Sequence, residues 1–205
     1  VIARGNLMIE EILNKDIDFI SGPEFLSKYL LAKRHVVAIS GTHGKTSVSS
    51  MVTKVLLDNG IDCGYLIAGR AKDLDATASL GTHDFFVIEA DEYDTAFFDK
   101  RSKFIHYHPK TLLINNLEFD HADIFSSIRD IKRQFHHLLR LMSSKSTLIF
   151  PEHNTNIKNV MQMGFYSESL PFNTKFAKGW HAKKVTPDSS KFDIYKDKKK
   201  KASVS

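Results

Sequence analysis

The sequence is poor in the features that mark secreted and membrane chains. It has a single cysteine, Cys63, so no disulfide can close within the chain, and a reducing, cytoplasmic setting is expected. No apolar run approaches the roughly 18–20 residues needed to cross a bilayer. Val1–Glu10 lacks the basic stretch followed by a long apolar run that marks a secretory leader. Ten glycines and five prolines in 205 residues are too few for a collagenous or low-complexity chain, and no internal repeat is present. At that length one full core and part of another are expected, set against a soft prior of about 150 residues per domain.

Charge of one sign is scarce everywhere but in one place. The formal net charge is +5, and Lys196–Lys201 holds five lysines and Asp197, which leaves +1 for the rest of the chain. A basic groove would spread its lysines and arginines along a face. A single run reads instead as a solvated hairpin tip or tail, and neither a nucleic-acid nor a membrane partner is expected.

What the sequence does have is alternation. Val36-Val37-Ala38-Ile39, Phe85-Phe86-Val87-Ile88, Leu112-Leu113-Ile114 and Thr147-Leu148-Ile149-Phe150 are short continuous apolar runs, the pattern of strands buried on both faces. Tyr65-Leu66-Ile67 adds a shorter one. Helical spacing between them covers Ser47–Asn59 and Ser126–Met142. This order predicts an α/β fold with a mostly parallel sheet flanked by helices. Ahead of it, Val1-Ile2-Ala3 is strand-like, Met8–Lys15 has helical spacing, and Ser21-Gly22-Pro23-Glu24 predicts a capped helix start. After about Phe165 only β-like pieces remain, Trp180–Val185 and Phe192–Tyr195.

The segment Gly41-Thr42-His43-Gly44-Lys45-Thr46 lies between a buried strand and a helix start. Glycines there let backbone amides turn toward phosphate oxygens, and the helix N-terminus adds the positive end of its dipole. Lys45 is placed to reach β- and γ-phosphates, and the Thr46 hydroxyl to bind Mg2+. The full G-x-x-x-x-G-K-[ST] pattern is not met, because Ile39 occupies its first glycine position.

Glu89-Ala90-Asp91-Glu92-Tyr93-Asp94 follows the next buried strand, and ligands of such sheets gather at the carboxyl ends of strands. Glu89 is the candidate metal carboxylate. Asp91, Glu92 and Asp94 read equally well as metal carboxylates or as a polar loop with a helix N-cap at Asp91 or Asp94. Asn115-Asn116-Leu117-Glu118-Phe119-Asp120-His121 reaches the same end of the sheet and makes His121 a candidate ligand or polar anchor. His136-His137 falls within a helix, where neighbours diverge. His106 and His108 could share a strand face but have no third ligand, so no zinc site is expected.

These stretches resemble the Mur ligases, ATP-dependent amide ligases of bacterial cell-wall synthesis, along the whole chain. Gly41–Thr46 is similar to the family's ATP loop, Glu89–Glu92 to its first metal-binding segment, and Asn116–His121 to its second. The resemblance implies ATP and Mg2+ as cofactors. It implies Lys45, Glu89 and His121 as catalytic residues, and Thr46, Glu89 and His121 around the metal. Gly41, Thr42, His43, Gly44, Lys45, Thr46 and Asn116 would hold the nucleotide. His136 stands near the place where some relatives carry a carbamylated lysine, so that modification is not expected.

Within the family, Phe85–Phe104 and Asn115–Phe125 resemble the branch that joins UDP-N-acetylmuramate to the tripeptide L-Ala-γ-D-Glu-meso-diaminopimelate in peptidoglycan recycling, through an acyl phosphate. Two alternatives stay open, a UDP-N-acetylmuramate–L-alanine ligase and a non-catalytic nucleotide-binding fragment. The resemblance also implies a domain division. Residues 1–34 would end a UDP-sugar-binding domain, and residues 35–205 would form a C-terminally incomplete ATP-binding domain. The acceptor-binding domain would be missing, and the fragment alone inactive.

Overall fold

The computed structural model describes residues 2–120, 125–173 and 179–205. Two short helices, α1 (Leu7–Asn14) and α2 (Gly22–Leu26), open the chain, and α2 runs into a π turn at Ser27–Leu31. Then follow β1 (His35–Ser40), α3 (Lys45–Asp58), β2 (Cys63–Leu66), β3 (Ala78–Ser79) and β4 (His83–Glu89). A 3-10 turn at Lys103–His106 leads to β5 (Thr111–Ile114), α4 (Ile128–Leu141), β6 (Thr147–Pro151) and α5 (Thr155–Gln162). The last elements are β7 (Glu168–Asn173), β8 (Trp180–Lys184), β9 (Phe192–Lys196) and β10 (Lys199–Val204).

The strands form one sheet in the order β10-β9-β8-β7-β6-β5-β1-β4-β2-β3. From β2 through β8 each neighbouring pair is parallel, while β3, β9 and β10 join antiparallel at the two ends. The expected parallel sheet is therefore present, with β1 and β4 paired from His35↔Phe85 to Ile39↔Glu89. The chain leaves β1 toward β2 on one side and returns to β5 on the other, which makes the carboxyl end of β1 the switch point where ligands of such sheets bind.

Successive residues of the central strands face opposite cores. Val36, Ala38, Phe86 and Ile88 point into the larger one, with Leu112, Phe104, Phe135 and Leu138. Ile39 and Val87 point into the smaller one beside Cys63, Tyr65 and Ile67, where Val48, Val52 and Leu56 of α3 close it. That two-sided burial is why these strands read as unbroken apolar runs. Burial also pushes the Cys63 thiol up, keeping it protonated in the smaller core.

Several local expectations are corrected. Ile2 and Ala3 are not in a strand, and Ile2 is exposed; Val1 lies outside the described residues. Ser21 does cap α2, accepting from Glu24 N at 3.2 Å. Neither Asp91 nor Asp94 caps a helix; the Asp91 carboxylate closes a turn by accepting from Tyr93 N at 3.1 Å. His106 and His108 share no strand, since His106 ends the 3-10 turn and His108 has φ +44°. The lysine run is a hairpin tip: Asp197 and Lys198 turn β9 into β10, whose residues are all exposed.

Candidate active site

The site is built on the loop between β1 and α3. Gly41 has φ +132°, and a Cβ there would stand 2.9 Å from Asn116 O. Gly44 has φ +78° and is the N-cap of α3, with no side chain capping the helix. Both positions suit glycine, and the first-turn amides of a 14-residue helix stay available to an anion.

The segment after β5 holds this loop from behind. Thr42 N donates to Asn116 O at 3.2 Å, and His43 N donates to Asn116 Oδ1 at 2.8 Å. His43 O in turn accepts from Asn115 Nδ2 at 3.0 Å and Asn116 Nδ2 at 3.1 Å. The buried Thr42 hydroxyl donates to Glu118 O and accepts from Glu118 N at 2.9 Å. Asn116, which the resemblance assigns to the nucleotide, here braces the loop; Asn115 was not singled out, and its sequence signal is its place at the end of a buried strand.

Thr46 and Glu89, which the resemblance groups around a metal, lie in contact. Thr46 Oγ1 donates to Glu89 Oε1 at 2.9 Å, while Glu89 Oε2 accepts from Ala68 N at 3.1 Å. Lys45 folds back over its own loop, donating to Gly41 O at 2.7 Å and Thr42 O at 3.3 Å. It also reaches Glu92 Oε2 at 3.4 Å, a pair with 12% and 2% side-chain exposure. In the sequence alone Glu92 reads equally as a metal carboxylate or a loop residue. Asp91 and Asp94 turn to other cations, Lys103 at 3.2 Å and Lys100 at 3.0 Å. His43 Nδ1 lies 3.7 Å from Asp120 Oδ2. His121 lies outside the described residues.

This oxygen set fits Mg2+ carried with a polyphosphate. That ion keeps several waters and takes one or two protein oxygens together with substrate phosphates. Among the described residues no three histidine, cysteine, aspartate or glutamate side chains converge into a cage that would hold a metal by itself. Near the site, burial and the Asp91 charge push the Tyr107 phenol up, so it stays neutral.

Loops of this build, between a buried parallel strand and its following helix, define the P-loop class of α/β domains. Within that class the chain belongs to the Mur ligases: residues 39–205 match the family's middle domain. It is 46% identical over 203 residues to the UDP-N-acetylmuramate–L-alanyl-gamma-D-glutamyl-meso-2,6-diaminoheptandioate ligase of Escherichia coli K12, covering 99% of this chain and 44% of that protein. The crystal structure of the corresponding Neisseria meningitides ligase matches with a TM-score of 0.91 at 40% identity, covering 100% of this chain and 65% of that one. The UDP-N-acetylmuramate–L-alanine ligase of Clostridium botulinum (strain Loch Maree) is 28% identical over 204 residues, 99% of this chain and 43% of that relative. The chain thus spans less than half the length of these two curated relatives. Among the described residues no helix is long and apolar enough to cross a membrane.

Proposed function

We propose that this chain is the nucleotide-handling part of an ATP-dependent ligase that joins the carboxylate of UDP-N-acetylmuramate to the amine of L-Ala-γ-D-Glu-meso-diaminopimelate in the cytoplasm. The observation that carries the proposal is the convergence of Lys45, Thr46 and Glu89 at the switch point of the sheet. The choice of substrates rests on the 46% identity to a ligase bearing that name, against 28% for the alanine-adding relative. The proposed division puts residues 1–34 at the end of a sugar-binding domain and starts the ATP-binding domain at residue 35.

The proposed chemistry is activation of the carboxylate as an acyl phosphate. A muramate carboxylate oxygen attacks the γ-phosphorus of ATP, and ADP leaves with the bridging oxygen. The resulting acyl phosphate is attacked by the amine, which loses a proton as inorganic phosphate departs and the amide forms. Lys45 meets the charge on the transferring phosphoryl, and the open amides of α3 bind its oxygens. Thr46 and Glu89 would hold Mg2+, which when bound neutralises phosphate charge. His121 is assigned to the same ion on its resemblance alone. Charge stabilisation and positioning carry such transfers, so loss of Lys45 is expected to cost orders of magnitude in turnover.

The test is a ligation assay of the full-length protein with ATP, Mg2+ and UDP-N-acetylmuramate, comparing the tripeptide with free L-alanine. Faster turnover with the tripeptide is expected. Faster turnover with L-alanine would replace this proposal with the alanine-adding reaction.

A further inference from the structure

Glu92 lies three residues beyond Glu89 and is 3% exposed. Its backbone is fixed, because the segment after β4 is laced to the one ahead of the 3-10 turn. Ser102 Oγ donates to Glu92 O at 2.7 Å, Lys103 N to Tyr93 O at 2.9 Å, and Thr95 N to Arg101 O at 2.9 Å. A carboxylate held in so dry a place is costly unless a cation stands beside it. Among the described residues, Lys45 is a cation so placed, with Nζ 3.4 Å from Glu92 Oε2.

An ammonium has three donors. Lys45 Nζ directs them to Gly41 O at 2.7 Å, Thr42 O at 3.3 Å and Glu92 Oε2 at 3.4 Å. A phosphate oxygen that accepts from Nζ must take one of these places. The short bond to Gly41 O is the one most readily kept, and the two long contacts are the ones to yield. Of those two, Glu92 is the charged acceptor, so it competes with phosphate on phosphate's own terms.

We propose that Glu92 is a positioning residue for Lys45: it anchors the ammonium over the phosphate loop and competes with the phosphates of a nucleoside di- or triphosphate for it, setting nucleotide affinity. This rests on the reading that the loop binds nucleotide. Because Glu92 acts through Lys45, removing its charge is expected to tighten binding only where Lys45 is present.

The experiment is a calorimetric titration of the full-length protein with ADP and Mg2+, in wild type, Glu92→Gln, Lys45→Met and the double variant, with thermal unfolding of each. Glu92→Gln keeps the shape and an acceptor but not the charge, and about tenfold tighter ADP binding is expected. Lys45→Met and the double variant are expected to bind alike. A merely structural Glu92 would not produce tighter binding that vanishes with Lys45. Unchanged or weaker binding in Glu92→Gln at the wild-type melting temperature would overturn the proposal. So would an equal gain in the Lys45→Met background. No ADP binding by the wild type would overturn the nucleotide reading itself, and the proposal with it.

Should Glu92→Gln fail to fold, the melting temperatures of the other two variants decide. Lys45→Met removes a cation beside a buried carboxylate, and the double variant removes that carboxylate's charge too. A double variant more stable than Lys45→Met supports the pairing; one no more stable overturns it.

Discussion

The Thr46 hydroxyl donates to Glu89 Oε1 at 2.9 Å, joining the first turn of α3 to the last residue of β4 across the switch point of the sheet. The contact places two oxygens, one neutral and one anionic, where a divalent ion shared with a polyphosphate would be held. The two are unequal partners. Glu89→Gln removes a full charge and is expected to raise the Mg2+ concentration needed for half-maximal ATP binding by about tenfold or more. Thr46→Ala removes a neutral ligand and is expected to have a smaller effect. Mg2+ titrations at fixed ATP check the ranking; a larger effect at Thr46 would contradict it.

Gly41 is expected to tolerate no side chain. A Cβ would meet Asn116 O at 2.9 Å and Asn116 N at 3.0 Å, both backbone atoms, at φ +132°. Gly41→Ala must therefore move the phosphate loop or the segment after β5, at a cost of about 1–3 kcal/mol. Urea unfolding gives the stability loss, and ADP titration gives the accompanying loss of affinity. A variant with wild-type values for both would show that the loop is not held this tightly.

Asp99 supplies a pH prediction. Bonds from Arg101 hold its carboxyl well below the usual carboxylate range, with the Arg101 charge and His106 Nε2 at 2.9 Å adding to the effect. A carboxyl depressed in the folded state stabilises above its unfolded pKa of about 3.9, and that contribution is lost as pH falls through the folded value. Asp99→Asn is therefore expected to be less stable than wild type by a constant margin near neutral pH. The margin should narrow below about pH 4. Denaturant midpoints measured from pH 7 downward check this; a margin that widens in acid would contradict it.

The sequence showed most of the site because phosphate loops are local objects. Strand, glycine turn, lysine, hydroxyl and helix are contiguous from Val36 to Asn59, and Glu89 follows its own apolar run directly. Glu92 was not legible in the same way. In sequence it sits in a run of carboxylates that reads equally as metal ligands or as a polar loop, and nothing in that run shows the lacing of residues 91–95 to residues 101–104 around the buried side chain. Helix α5 was hidden behind Pro151, although Asn154 caps it by accepting from Ile157 N at 3.0 Å and Ile157 and Val160 are its buried face. Strand β7 was masked by Pro171, which a central strand seldom accepts. Proline fits there because the pairing of β7 with β8 begins at Phe172, leaving that side of Pro171 without a partner strand among the described residues.

The most direct test of carboxylate activation follows an oxygen atom. UDP-N-acetylmuramate labelled with 18O in its muramate carboxylate is supplied to the full-length protein with ATP, Mg2+ and the tripeptide. The released inorganic phosphate is then analysed by mass spectrometry. An acyl phosphate passes one carboxylate oxygen to phosphorus, so one 18O per amide formed is expected in the phosphate. Amide formation accompanied by unlabelled phosphate would contradict phosphoryl activation at this site.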